Sequence, residues 1–350
     1  MSKPIDLKTV KIFEPLKKKP ETFGHKEYSF FNSESVYDVL SKNSNETVTY
    51  WFKLQQAWCN NAYNTFKDYD SYLILVYLVN TVFQKYSDRF QYLSFQEFYE
   101  KNELNIDKIN LIEISKELNI PKETIRRKVN FLQNQNIIFR KGKTIFFNNA
   151  LNRVQKPSNS KKMLVNFLEK TSFILGKEDW FGKSFSKEEI EEFIDKYFTI
   201  CWQHWLRLQI PYLVRFRTFF GDLETWNVWG AIGISQFTDY SKQVKGRVVE
   251  DPRTYADLYL HLLRHTPKNG INASSISEIS TIPRATVIRK LKYLLKQKLV
   301  MKNKKLEYML LPSPKNIKSF EQNYMHNQKH KAGFVTTIFD LMKNSSFKVE

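Results

Sequence analysis

Glycine and proline are scarce in this sequence, with 10 Gly and 11 Pro among 350 residues. Their usual combined share is about 12%, so the shortage argues against turn-rich β architectures and glycine-loop nucleotide folds. The longest apolar run, from Tyr72 to Val82, is much shorter than the roughly 20 residues that cross a bilayer. The composition therefore predicts a mainly helical protein with no membrane partner.

The sequence also lacks the common catalytic, nucleotide-binding and metal-binding motifs. The two cysteines, Cys59 and Cys201, cannot form a disulfide framework, and the motifs HExxH, GxSxG, GxGxxG and the Walker loop do not occur. His261 and His265 have the spacing of metal ligands on a helix, but no third ligand stands at a supporting position. We therefore expect no enzyme activity, no metal site and no cofactor. The N-terminus lacks the apolar core of a signal peptide, which favours a cytoplasmic protein.

Positive charge is abundant. The chain has 55 Lys and Arg against 36 Asp and Glu, a formal net charge of +19, and 15% of its residues are aromatic. An excess of this size favours an extended polyanion as partner, although a generally basic proteome would produce the same total. The location of the charge along the chain is therefore the more informative property.

The sequence repeats itself. Trp51-Phe-Lys-Leu-Gln55 recurs 154 residues later as Trp205-Leu-Arg-Leu-Gln209, and the segment around Ile114-Ser recurs 162 residues later around Ile276-Ser. We divide the chain into a basic irregular leader (1–48), a first repeat (49–155), a connector (156–194), a second repeat (195–312) and a basic C-terminal tail (313–350). The run 156–162, Lys-Pro-Ser-Asn-Ser-Lys-Lys, is interpreted as a flexible joint.

Each repeat ends in the same pattern. Residues 110–147 show apolar spacings of 3 and 4 on either side of Asn119-Ile-Pro121, followed by two β-prone runs around Gly142. Proline suits the first turn of a helix, so the pattern predicts two short helices with a sharp break and then a two-stranded wing. Residues 272–310 repeat the plan, with Asn303 where a turn glycine is expected.

These two segments resemble the winged helix-turn-helix domains of bacterial and archaeal transcription regulators of the MarR and TrmB-like kind. The resemblance rests on the Ile-Ser pair, on Thr124 and Arg127, and on their counterparts Thr286 and Arg289, and it covers about 40 residues in each copy. It implies a second helix that enters the major groove of DNA. The expected fold is mainly α with small β-wings: two winged helix-turn-helix domains, each preceded by a Trp-rich helical block.

Basic and polar residues occupy the positions that this resemblance assigns to DNA contact. Arg can pair with guanine, Asn with adenine, and Lys with phosphates. Residues 110–143 hold eight Lys and Arg against three Glu, and residues 272–305 hold nine against one, so the two segments carry +13 of the net charge. The candidates are Lys122, Thr124, Arg126, Arg127, Lys128, Asn130, Arg140, Lys141 and Lys143 in the first repeat, and Arg284, Thr286, Arg289, Lys290, Lys292, Lys302, Lys304 and Lys305 in the second.

The blocks before each motif are rich in aromatic residues at helical spacing, which favours packing against each other or their winged domain over an aromatic ligand pocket. Asp68-Tyr-Asp70 and Asp222-Leu-Glu224 precede apolar helical stretches. Paired carboxylates can serve metal binding or acid–base catalysis, but in this position helix capping is the favoured interpretation.

The expected function is sequence-specific binding of double-stranded DNA by a nucleoid-associated transcription regulator. A plasmid- or phage-type replication initiator is one alternative, and a nucleoid-structural protein or assembly adaptor is another. The two repeats can form an intramolecular pseudo-dimer or a direct repeat, and the chain can also form a homodimer. The sequence does not specify an effector ligand.

Overall fold

The structure is a computed structural model that describes residues 32–89, 91–142, 144–148, 158–177, 184–243, 270–311 and 314–345. Within these ranges the protein is mainly helical with two small antiparallel sheets, as the sequence predicts. None of the described helices combines the length and the apolarity that a bilayer span requires. His261, His265 and Lys143 lie outside the described residues.

We call residues 32–177 the first half and residues 184–345 the second half. The first half contains α1 (Ser33–Lys42), α2 (Ser44–Phe66), α3 (Tyr69–Asp88), α4 (Phe95–Glu100), β1 (Glu103–Asp107), α5 (Leu111–Leu118), α6 (Lys122–Asn134), β2 (Ile138–Lys141), β3 (Thr144–Asn148) and α7 (Ser158–Lys177). The second half contains α8 (Lys187–Lys196), α9 (Phe198–Phe220), α10 (Leu223–Gln243), α11 (Ala273–Ser280), α12 (Arg284–Lys296), β4 (Val300–Lys302), β5 (Tyr308–Leu310) and α13 (Pro314–Ser345).

The two halves have matching helices at the sequence offsets of the repeat. Helices α1 and α2 match α8 and α9 at an offset of 154, with the same lengths of 10 and 23 residues. Helices α5 and α6 match α11 and α12 at an offset of 162, with lengths of 8 and 13 residues. In both halves a long helix, α7 or α13, follows the small sheet.

Equivalent acidic residues begin equivalent helices. The Asp68 carboxylate accepts a hydrogen bond of 3.1 Å from the backbone N–H of Ser71 at the start of α3. Asp222 accepts one of 2.7 Å from Thr225 at the start of α10. A side chain in this position satisfies an amide that the helix itself leaves free. The capping interpretation of the two acidic pairs is therefore confirmed for Asp68 and Asp222.

The Trp-rich helices of the two halves pack against each other. Trp51 and its counterpart Trp205 have ring centroids 6.1 Å apart. Trp51 lies 5.6 Å from Tyr212, and Trp205 lies 5.5 Å from Trp58, which is the counterpart of Tyr212. The same contact therefore occurs twice with the halves exchanged. The aromatic stripe is largely core, as the sequence predicts.

A buried pair of glutamines lies where the halves meet. The side-chain amide of Gln55 donates from Nε2 to Oε1 of Gln209 at 3.0 Å, and Nε2 of Gln209 donates to Oε1 of Gln55 at 2.8 Å. These two residues are counterparts at the offset of 154. A twofold relation brings identical positions together in this way, whereas a direct repeat brings together different ones. The contacts therefore indicate an approximate twofold axis between the halves.

The described parts of the leader, connector and tail are mostly helical, including residues that the sequence assigned to an irregular leader and a flexible joint. Residues 1–31 of the leader lie outside the described residues. Residues 33–48 of the leader lie in α1 and α2, residues 158–177 and 187–194 of the connector in α7 and α8, and residues 314–345 of the tail in α13. Ser158–Lys162, expected in a flexible joint, is the first part of α7. These segments are helical because each buries an apolar face: Val39 in α1, Leu168 in α7 and Val335 in α13 are at most 5% exposed. Helix α1 packs on α13, and α8 packs on α7, so each half covers the other.

Candidate nucleic-acid interface

The turn before each second helix has the same construction in both halves. The Ser115 hydroxyl donates to the Ile120 carbonyl at 2.7 Å, and the Ser277 hydroxyl donates to that of Ile282 at 2.6 Å. Each turn passes through one left-handed residue, Asn119 with φ 50° or Thr281 with φ 57°. The proline that follows, Pro121 or Pro283, is the N-cap residue of α6 or α12. Both pairs of short helices, each with a sharp turn between them, therefore lie at the predicted positions.

Helices α6 and α12 bury one face and expose the other. Ile125, Val129 and Leu132 of α6 are buried, as are Val287, Leu291 and Leu294 of α12. The exposed candidates are Lys122, Arg126, Arg127 and Asn130 on α6, and Arg284, Arg289 and Lys292 on α12, while Thr124 and Thr286 are half-buried. Two equivalent helices therefore present cations to solvent along the same face.

Two of these exposed cations have a local partner. Arg126 pairs with the exposed Glu123 carboxylate at 2.6 Å, one helical turn away. Arg284 donates to the Ser274 hydroxyl of α11 at 3.2 Å. Surface pairs of this kind contribute about 0–1 kcal/mol, so the pairing with Glu123 leaves Arg126 able to exchange its partner.

Lys128 and Lys290, which the sequence places among the DNA-contacting residues, do not face outward. Lys128 lies 2.7 Å from Asp68, and Lys290 lies 2.6 Å from Asp222 and 3.1 Å from Glu224. The two lysine side chains are only 22% and 12% exposed. They connect the second helix to the start of α3 or α10, the helix that the same aspartate caps.

Helical spacing was the signal that could have placed these lysines. Lys128 follows the buried Ile125 by three residues and precedes the buried Leu132 by four, and Lys290 has the same relation to Val287 and Leu294. Positions three and four apart share a face of a helix. Both lysines therefore lie at the edge of the buried face rather than on the outer face.

The pKa values of Asp68 and Asp222, the partners of the two lysines, are both lowered. Burial by itself raises the pKa of Asp222, but hydrogen bonds from Lys290 and Thr225 lower it, and the pKa ends below its ordinary value. The pKa of Asp68 is lowered in the same way, with burial opposed by hydrogen bonds from Lys128 and Ser71. Both carboxylates are therefore charged at neutral pH and attract the lysines.

The segment predicted as the first wing forms the β2–β3 hairpin, to which β1 adds a third strand in the order β1-β3-β2. Gly142 forms its turn with φ 60°. Arg140 is exposed, whereas Lys141 pairs with Glu103 at 2.6 Å and lies 5.4 Å from the Phe139 ring. Arg140 is therefore the better-placed candidate of the two for contact with a phosphate.

The second wing closes without glycine. The side-chain amide oxygen Oδ1 of Asn303 accepts hydrogen bonds from the backbone N–H groups of Lys305 at 2.9 Å and Glu307 at 3.0 Å. Leu306 takes the left-handed conformation with φ 61°. Asn303 thus has the turn role that the sequence suggested. Lys302, Lys304 and Lys305 of this wing are exposed.

Besides the ion pairs of Lys128 and Lys290, the sequence also did not indicate a cavity between the helices. A cavity lies in the interior between α2, α9, α10 and α13, and the side chain of Lys331 forms part of its wall. Lys331 comes from a segment interpreted as a basic tail, and no local sequence pattern distinguishes it from the exposed Lys329 two residues earlier.

Among the described residues no group of His, Cys, Asp and Glu is arranged to hold a metal ion.

Comparison of the chain with protein-family models, with curated proteins and with solved structures finds no match. The functional proposal for the chain therefore rests on its own residues and their arrangement.

Proposed function

We propose that the protein binds double-stranded DNA sequence-specifically through two winged helix-turn-helix domains and acts as a transcription regulator. The observation that supports this most is the pair Arg127 and Arg289. They occupy equivalent positions on the exposed faces of α6 and α12, while the opposite faces are fixed by the ion pairs of Lys128 and Lys290. A rigid helix with an outward guanidinium has the form that a major-groove reader requires.

The chemistry of the exposed residues is suited to both kinds of DNA contact. An arginine can donate two hydrogen bonds to the O6 and N7 atoms of guanine, and lysines attract phosphates without regard to sequence. In the first half Arg127 and Asn130 are the proposed base readers. In the second half Arg289 is the proposed reader, and the wing lysines are the proposed phosphate contacts.

The approximate twofold axis supports a pseudo-dimer within one chain. Twofold dimers of helix-turn-helix domains place their reading helices about 34 Å apart, one turn of DNA. We propose the same for α6 and α12. The half-sites should be unequal because Arg126 corresponds to Ile288, and Asn130 to Lys292.

The proposal is tested by selecting bound duplexes from a random DNA pool and measuring affinity by fluorescence anisotropy. Arg127→Ala and Arg289→Ala should each weaken binding to the selected site by about 1–3 kcal/mol, because each removes a base contact. The control is Lys162→Ala, which removes one exposed positive charge from α7. Equal affinity of the unmodified protein and both arginine variants would contradict the proposal.

Repeating the measurement at two salt concentrations separates the alternative roles. A regulator keeps its preference for the selected site as salt weakens the phosphate contacts. A nucleoid-compacting protein binds selected and random duplexes equally at both concentrations, and an assembly adaptor binds neither. Recovery of an array of repeated sites, in place of single promoter-proximal sites, would indicate replication initiation.

A further inference from the structure

A cavity of about 60 Å³ lies where the two halves meet. Its wall is mostly aromatic and is formed by Trp51, Phe52, Tyr212, Phe216, Trp226, Trp229, Phe320 and Tyr324, together with smaller and polar residues. A water-sized group needs about 10–15 Å³ on this measure. The cavity therefore has room for a ligand of roughly four to six non-hydrogen atoms.

The polar residues of the wall include a buried cation. Lys331 is 5% exposed, and its ammonium group lies 4.7 Å from the centre of the Trp51 ring. None of the described residues that line the cavity is Asp or Glu, so this part of the wall offers the cation no counter-ion. An ammonium group is costly to bury without an anion, and burial accordingly lowers the pKa of Lys331 to about 7.

Two more polar atoms of the wall lack a partner. The Ser44 hydroxyl and the side-chain amide oxygen Oε1 of Gln328 are buried and make no hydrogen bond. Buried polar groups in proteins are nearly always paired, so each such exception needs an explanation. Here one ammonium group and two unpaired polar atoms line the same cavity, which is the composition of a binding site for a small polar ligand.

The internal repeat shows that packing does not require a lysine here. Phe167 of α7 lies 5.3 Å from Trp51, and Phe334 of α13 lies 5.6 Å from Trp205, which aligns these two helices at an offset of 167. The counterpart of Lys331 is then Leu164, which is 1% exposed. A leucine fills the equivalent place in the first half, so the cation is specific to the second half.

We infer that this cavity binds a short-chain monocarboxylate, with the carboxylate paired to Lys331 and accepting from the Ser44 hydroxyl, and the alkyl chain packed against the aromatic rings. An inorganic anion would lose its hydration against an apolar wall with no packing in return. A neutral hydrocarbon would leave the ammonium group unpaired. The inference does not depend on DNA binding.

The probe is sodium butyrate, which has six non-hydrogen atoms, and butyramide is its uncharged counterpart. Titration of the full chain is followed by calorimetry and by tryptophan fluorescence, since Trp51, Trp226 and Trp229 line the cavity. We expect a butyrate Kd of about 0.1–1 mM, which is typical for so small a ligand. Butyramide should bind at least about 10-fold more weakly because it cannot pair with the ammonium charge.

Lys331→Leu introduces the residue found at the equivalent position of the first half, Leu164. This change should reduce butyrate binding at least about 10-fold while the protein remains folded. The matched control is Lys329→Leu, which removes an exposed lysine from the same helix and should leave binding unchanged. Circular dichroism checks the fold of both variants, and Ser44→Ala provides a second, milder change in the site. The inference is overturned if butyrate does not bind, if butyramide binds equally well, or if Lys331→Leu binds butyrate like the unmodified protein.

Discussion

The mutual hydrogen bonds of Gln55 and Gln209 allow a quantitative test of how the halves are joined. Both side chains are at most 3% exposed, and each amide is donor and acceptor to the other. Gln209→Met keeps the side-chain length but leaves the amide nitrogen and oxygen of Gln55 unpaired. An unpaired buried polar group costs about 1–3 kcal/mol, so we expect this single change to lower the free energy of unfolding by about 2–4 kcal/mol. Gln55→Met should have the same effect for the same reason.

The double variant should behave differently from the sum of its parts. When both glutamines become methionine, no polar atom is left unpaired, and replacement of both partners by apolar groups is close to neutral. We therefore expect stability within about 1 kcal/mol of the original protein and a coupling energy of at least about 3 kcal/mol. Equilibrium urea unfolding followed by tryptophan fluorescence measures all four proteins, with the m-value checking that the exposed surface is unchanged. Additive losses in the double variant would refute the reciprocal contact.

Two further predictions concern buried charges. Asp68→Asn keeps a capping side chain but removes the partner of Lys128, so it should lower the free energy of unfolding by about 1–2 kcal/mol in urea unfolding at pH 7. Because the folded-state pKa of Asp68 is lowered, its contribution is present above about pH 4 and is lost as the pH falls further. The variant should therefore show a smaller loss of stability in acid, and an unchanged acid profile would contradict the ion pair. The second prediction concerns Lys331, whose pKa of about 7 in the folded protein lies below its value of 10.5 when exposed. Between these values only the unfolded chain binds the proton, so stability should rise with pH by up to about 1.4 kcal/mol per unit. Unfolding at pH 7 and pH 9 measures this rise, and Lys331→Leu should remove it; the same slope in the variant would show that another group is responsible.

Local sequence patterns predicted the elements whose boundaries depend on local signals. The break at Asn119-Ile-Pro121 and its copy before Pro283 lie where the chain turns between the two short helices. The apolar spacing of α6 and α12 also identified their buried faces. These elements depend on proline, on caps and on helical periodicity, all of which are visible within a few residues.

Features that depend on contacts between distant segments were not predicted. Helices α1 and α13 pack against each other although they lie at opposite ends of the described chain. The sequence of each segment alone therefore does not show which residues are buried. Lys128 and Lys290 were assigned to solvent because their acidic partners lie about 60–70 residues earlier in the sequence. Lys331 could not be distinguished from neighbouring lysines because its burial depends on Trp51, on a helix of the other half. Base contact by Arg127 and Arg289 remains a prediction.

The exchange of α1 and α8 between the halves has a consequence for cleavage of the chain. Since α1 of the first half packs on α13 of the second, and α8 of the second half packs on α7 of the first, a single cut between residues 177 and 184 would leave two fragments that still hold each other. Neither fragment would retain a complete hydrophobic core by itself. Nicked protein should therefore elute as one particle under native conditions, and expression of either fragment alone should give an aggregating product, while co-expression of the two fragments should restore a soluble complex.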